Sequence, residues 1–249
     1  MSELIIDRER AGVVTVTFNR PERRNAFTQA MYQRMRELWE ELAQDSSVRV
    51  VVLKGAGGKA FAAGNEISDF LAADAVDYET WIREMFDRLW ALPQVVIAAV
   101  DGVCVGGGLA VATYGDLRVA TSSSRFGYPI ARTLGNALSS PVLLRCAAVF
   151  GESLTREMLL ASRLVTADRA HAAGALTAEV PDAAALEAEV EELVSGILQA
   201  SPVTIRVTKQ QLRGLPEDEE ALLRGVYGGP DFAEGVRAFL AKEKPAFTG

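Results

Sequence analysis

Residues Val13 to Phe18 read Val-Val-Thr-Val-Thr-Phe, an apolar–polar alternation of period two that predicts a strand with one buried face. Gly12 supplies a hairpin turn from Glu3-Leu4-Ile5-Ile6, and Asn19-Arg20-Pro21 ends the strand, because proline cannot continue a ladder. The period then lengthens. Thr28 is suited to an N-cap, and Met31, Met35, Leu38 and Leu42 share one face of a helix over Gln29 to Gln44. Val48 to Leu53 contains an unbroken apolar run, which predicts a strand covered on both faces. Tyr78, Trp81, Ile82, Met85, Phe86 and Leu89 describe a second amphipathic helix from Asp74 to Leu92, stopped by Pro93. A second buried strand, Val95 to Val100, leads to the turn pair Asp101-Gly102, and beyond Gly106-Gly107-Gly108 the run Leu109 to Ala112 favours helix.

In the second half, Leu117 to Ala120 reads as a short strand and Arg125 to Ser140 as a turn-rich loop able to close over a site. Pro141 to Phe150, Thr155 to Ser162 and Ala167 to Ala173 read as helices, and Leu176 to Val180 as a last strand. Ala183 to Leu198, Pro202 to Arg213, Glu217 to Val226 and Asp231 to Lys242 are helical by pattern. Alternating strands and helices followed by helices alone predict an α/β core over residues 1–197 and a C-terminal helical region over 198–249.

Composition narrows the function classes. With 249 residues, 49% of them hydrophobic, the chain can bury one large core, yet no apolar run is long enough to span a membrane. The N-terminus lacks a basic region followed by an apolar stretch, so a cytoplasmic protein is expected. A net charge of −7 without a Lys/Arg tract argues against nucleic acid as partner. Cys104 and Cys146 have neither CxxC spacing nor scaffold density, and one histidine, His171, cannot build a usual zinc site, so no metal is expected. Gly55 to Lys59 lacks the glycine and the Ser/Thr that a phosphate-binding P-loop would need at Leu53 and Ala60. A serine hydrolase using Ser139 or Ser140 would need a paired histidine, and only His171 exists.

The candidate chemistry lies in two glycine-containing bends. A helix that opens on Gly106-Gly107-Gly108 offers unpaired N–H groups and a positive dipole end to anything negative. After the strand at Val48 to Leu53, Ala62-Ala63-Gly64-Asn65 would expose another backbone N–H. Two such amides aimed at one carbonyl oxygen form an oxyanion hole, useful wherever acyl transfer or enolate formation develops charge there. Arg20, Arg23 and Arg24 cluster in the loop after the first strand pair, either as a solvated charged loop or as a clamp for phosphates.

Asn19-Arg20-Pro21 with Asn25-Ala26-Phe27, Lys59 to Gly64, Gly106-Gly107-Gly108 with Asp116, and Phe239 to Phe247 occur in an order that resembles the crotonase, or enoyl-CoA hydratase/isomerase, superfamily. The resemblance covers nearly the whole chain. It implies a crotonase-like α/β fold, a ββα-repeat spiral core with a C-terminal helical trimerisation region, assembled as a homotrimer or a hexamer of two trimers. It implies an acyl-CoA thioester as substrate, with coenzyme A as part of that substrate and no permanently bound cofactor. Asn65 and Gly107 would donate to the thioester carbonyl. Arg24, Ala62, Ala63, Ile67, Phe239 and Lys242 would hold the CoA moiety. Asp116 would be structural, and Trp81 or Tyr78 would reach the acyl pocket.

The two glutamates that serve the family's hydratases as general acid and base are absent: their places hold Ala110 and Ile130. Neither side chain can move a proton, so standard hydratase activity is not implied. Replacement candidates are Asp69, Tyr78 and Arg132, with Glu66 matching a position that is structural in the family. The expectation is an acyl-CoA enzyme that stabilises a thioester enolate. The alternatives are a non-catalytic acyl-CoA-binding protein, or a divergent thioester hydrolase or decarboxylase.

Overall fold

The computed structural model describes residues 2–71, 74–214 and 216–249. Six strands form the larger sheet: β1 (Leu4–Asp7), β2 (Val13–Phe18), β3 (Val50–Gly55), β5 (Val95–Val100), β7 (Leu117–Thr121) and β10 (Ala178–Val180), in that spatial order. Only the β1–β2 hairpin is antiparallel, pairing Leu4 with Phe18; Val13 pairs with Val50 and Val50 with Val95 in the parallel part. Four shorter strands form a second sheet: β4 (Ala60–Ala62), β6 (Val103–Val105), β8 (Arg125–Gly127) and β9 (Val165–Thr166). The helices are α1 (Gln29–Ala43), α2 (Ala75–Ala91), α3 (Gly107–Tyr114), α4 (Ile130–Thr133), α5 (Ser140–Leu160), α6 (Ala167–Ala172), α7 (Ala183–Gln199), α8 (Pro202–Arg213), α9 (Glu219–Tyr227) and α10 (Pro230–Ala241).

The chain repeats one move. β3, β5 and β7 each run in the large sheet, and β4, β6 and β8 follow them in the small one before the chain turns helical. This is the ββα repeat implied by the resemblance. Leaving one sheet for the other takes a sharp corner: Gly102 has φ +81°, and a Cβ there would lie 2.3 Å from the Lys59 carbonyl oxygen. Every residue of β5 is buried, as its unbroken apolar run requires. Val51, Leu53, Val96 and Ala98 face a core shared with α1, α2 and α3, whereas Val50, Val52, Val95 and Ile97 face Leu186 and Val194 on α7.

The small sheet was not expected from the pattern; β4 ends at Ala62, and the expected bend at 62–65 follows it. Strands of two or three residues are too short to display a period, so pairing and not pattern defines them. The segment 125–140, expected to be a loop, contains β8 and α4. The two helices expected at 141–150 and 155–162 form α5, interrupted where Gly151 takes φ 75° and ψ 157°.

One polar clamp ties the helical end to the sheet. Asp116 Oδ2 accepts from the Val96 amide at 2.7 Å and from Lys209 Nζ of α8 at 2.5 Å, and Lys209 also donates to the Gln94 carbonyl. Lys209 is buried, and loss of hydration lowers the pKa of its ammonium. Beside it, Arg118 donates to the carbonyls of Ala175, Ala112, Gly115 and Asp116, and burial brings its guanidinium down to about 10.

Candidate active site

The two glycine-containing bends meet. Asn65 follows β4 and forms a parallel bridge with Phe27, in which the Phe27 amide donates to the Gly64 carbonyl at 2.8 Å and the Glu66 amide to the Phe27 carbonyl at 2.7 Å. A parallel bridge uses the flanking peptide groups and turns the N–H of Asn65 itself to the opposite side. Gly106, after β6, has φ 55° and ψ −128°, a conformation reserved to glycine, and its amide donates to the Gly127 carbonyl at 3.1 Å. Gly107 is then the first residue of α3, and its N–H is one of the orphan donors of a helix start. Among the described residues, the N–H groups of Asn65 and Gly107 have no protein acceptor. The backbones carrying them lie close together: a Cβ on Gly64 would lie 3.7 Å from Gly106 Cα and 3.8 Å from Gly107 N.

The Asn65 side chain is pinned from below. Tyr32 of α1 donates its hydroxyl to Asn65 Oδ1 at 2.6 Å. Its ring is fully buried, edge-on to Phe27, Trp81 and Phe86 with centroids 5.4, 6.3 and 6.3 Å away. Burial raises the phenol well above its ordinary pKa, so it stays a neutral donor. Gly107 leaves no room beside this pair, because a Cβ there would lie 2.3 Å from Asn65 Oδ1 and 2.5 Å from the Tyr32 hydroxyl.

Both bends line a cavity of about 120 Å³ whose other walls are mainly apolar, including Ile82, Phe86, Leu138 and Val142. Ala110 and Ile130 both stand in this wall, on α3 and at the start of α4. Among the described lining residues the one carboxylate is Glu79 of α2. Burial raises its carboxyl above the usual range. Sequence reasoning passed over Glu79, although a signal was present: Glu79, Ile82 and Phe86 are spaced i, i+3, i+7, which sets a charge in line with the apolar stripe of its helix.

The other expected residues are distributed differently. Asp69 Oδ2 accepts from the Gln29 amide at 2.7 Å, capping α1, and its charge adds to the rise of the buried Tyr78 phenol. Tyr78 stacks on Trp81 at 5.9 Å, and Arg132 is exposed on α4; none of Asp69, Tyr78 and Arg132 lines the cavity. Glu66 pairs with Arg20 at 3.0 Å, and Arg20 also reaches Glu3 at 3.0 Å and the Ala26 carbonyl at 2.7 Å, so this arginine holds the loop. Arg24 is exposed with φ 50°, and its carbonyl accepts from the Ala63 amide at 3.0 Å, which brings it against the Asn65 bend. Ala63 and Ile67 line the cavity; Ala62 is buried beneath Gly108.

Phe239 and Lys242 lie elsewhere, at the end of α10. Phe239, 83% exposed, lines a separate groove of about 540 Å³ with Phe232, Val236, Leu240 and Phe247. Ser139 lines the Asn65–Gly107 cavity, but His171 of α6 does not, and its Nδ1 lies 3.3 Å from the Leu176 carbonyl oxygen. Cys104 and Cys146 are buried thiols, with burial pushing Cys146 up to about 11. Among the described residues no cluster of histidine, cysteine and carboxylates could hold a metal, and no helix is long and apolar enough to cross a membrane.

A family model described as enoyl-CoA hydratase/isomerase matches residues 8–249. The chain is 33% identical over 258 residues to a 2,3-dehydroadipyl-CoA hydratase of Escherichia coli, covering 100% of both chains. It is 29% identical over 264 residues to a 1,2-epoxyphenylacetyl-CoA isomerase of the same organism, again covering 100% of both. Among solved structures it superposes on an enoyl-CoA hydratase/carnithine racemase from Magnetospirillum magneticum with TM-score 0.90 at 36% identity, covering 100% of this chain and 96% of that one.

Proposed function

This chain belongs to the enoyl-CoA hydratase/isomerase family, and on that premise we propose that it processes an acyl-CoA thioester by stabilising its enolate, without the standard addition of water. The observation that carries this reading is the pair of acceptor-free amides, Asn65 and Gly107, on one wall of an apolar cavity whose positions 110 and 130 are alanine and isoleucine. Backbone donors placed where oxygen charge develops favour the enolate over the ester. Water addition across a conjugated double bond needs groups that deliver a proton and activate a water, and Ala110 and Ile130 do neither.

In this reading the CoA moiety runs out along Arg24, Ala63 and Ile67, with Ala62 shaping the turn beneath it. Titration calorimetry with crotonyl-CoA is expected to show saturable binding, while its hydration stays about 10³-fold or more below that of an enzyme with both glutamates, in line with the usual 10²- to 10⁴-fold worth of each general acid or base. No binding at millimolar crotonyl-CoA overturns the acyl-CoA reading, and rapid hydration overturns the roles given to Ala110 and Ile130.

The exposed Phe239 and Lys242 fit the same proposal as contributions to the nucleotide end of a neighbouring copy. Tyr227, Phe232, Phe239 and Leu240 are 61, 44, 83 and 76% exposed, an apolar surface that association would cover. Sedimentation at micromolar concentration is expected to give the mass of three or six chains. A monomer mass overturns that assignment.

A further inference from the structure

Glu79 stands out among the acidic side chains near the candidate site. It projects from α2 into the wall that also holds Asn65, Gly107, Ala110 and Ile130. By contrast, Glu66 is paired with Arg20 and Asp69 caps α1. The Glu79 carboxyl shows no ion pair with protein among the described residues, and burial raises its pKa above the usual carboxylate range. Its charge also reaches Tyr32, the residue that pins Asn65, and adds to the rise of that phenol. A carboxylate kept in an apolar wall without a cation is costly for folding, and such costs concentrate where chemistry needs them.

We infer that Glu79 is the catalytic group that moves the proton at the α carbon of a bound acyl thioester, from a different helix than the positions of the two absent glutamates. This inference rests on the acyl-CoA reading above. With the thioester oxygen held by the amides of Asn65 and Gly107, the Glu79 carboxylate removes a proton from the adjacent α carbon. The C–H electron pair becomes the carbon–carbon double bond of the enolate, and the carbonyl π pair moves onto oxygen. The return step gives a proton from Glu79 back to carbon and restores the ester, so nothing is oxidised or reduced. A single carboxylate can take and return a proton but leaves no second group to activate water. The substrate class is therefore a short apolar acyl-CoA with an acidic α hydrogen, and the net outcome is α-proton exchange or migration of a double bond.

The test is exchange of butyryl-CoA α hydrogens in deuterium oxide, followed by mass spectrometry, with binding measured in parallel by calorimetry. The wild-type protein is expected to incorporate deuterium. Glu79→Gln is expected to bind butyryl-CoA within about threefold of wild type but to exchange at least about 10²-fold more slowly. Glu79→Asp, one methylene shorter, should fall between the two and keeps the test open if the glutamine variant does not fold. Glu84→Gln, which removes an exposed partner of Arg36 on the same helix, should exchange as wild type does. Exchange by Glu79→Gln, or by Glu79→Asp if it alone folds, within threefold of wild type overturns the inference. So does a wild-type protein that binds butyryl-CoA and incorporates no deuterium. Failure of butyryl-CoA to bind the wild-type protein overturns the acyl-CoA reading instead.

Discussion

Replacing Asp116 with alanine is expected to lower the unfolding free energy by about 3 kcal/mol in urea titrations at neutral pH, because it strands the Lys209 ammonium in the interior without a counter-charge. The effect sits at the lower end of what breaking a buried pair costs, since the Asp116 side chain keeps 22% exposure and water can partly replace it. The Val96 amide loses its acceptor in the same change, which adds the penalty of an unsatisfied donor. The sign with pH follows from Lys209. Its folded-state pKa lies below its ordinary value, so the unfolded chain binds more protons as pH climbs toward that value, and stability rises with pH. Without Asp116 the depression deepens, so the variant should recover part of its loss under alkaline conditions. Adding Lys209→Met should restore more than half of the lost stability at neutral pH. If the double variant is no more stable than the single one, the loss does not come from a stranded charge.

Gly107→Ala is expected to reduce the rate of α-proton exchange by about 10²- to 10³-fold, the usual consequence of losing one oxyanion donor. The added methyl would lie 2.3 Å from Asn65 Oδ1 and 2.5 Å from the Tyr32 hydroxyl. Tyr32 cannot retreat, because its ring is enclosed by Phe27, Trp81 and Phe86. The yielding part is then the Asn65 bend, and both amides lose their common aim. Helical geometry at the first residue of α3 accepts alanine, so the variant should fold and still bind acyl-CoA. The effect should therefore appear in the rate of the bound complex and not in affinity. A variant with unchanged exchange would show that the two amides do not act together on the thioester oxygen.

The large sheet was readable because its strands carry their burial in their composition: Val50 to Leu53 and Val95 to Val100 can only be covered on both faces. The small sheet was not, since strands as short as Ala60–Ala62 and Val103–Val105 are defined only by pairing with their neighbours. The bends around Gly64 and Gly106 announced themselves by residue type, as both take a positive φ, 98° and 55°, which glycine adopts without strain. Asp69 and Arg132 looked as suitable as any charge near the site, yet one caps a helix and the other faces solvent. The spacing of Glu79 with Ile82 and Phe86 sets it in line with the apolar stripe of α2, but what lies opposite that stripe is a relation between distant segments that no local spacing encodes.

In the proposed reading the groups that polarise the thioester oxygen are main-chain amides, so no side chain need supply that charge stabilisation. The proposed proton carrier, Glu79, is by contrast one side chain on a separate helix. The scaffold thus behaves as an electrophilic socket into which different acids and bases can be fitted. A directed-evolution library confined to the cavity-facing turns of α2 could exchange one reaction for another while inheriting the activated carbonyl intact.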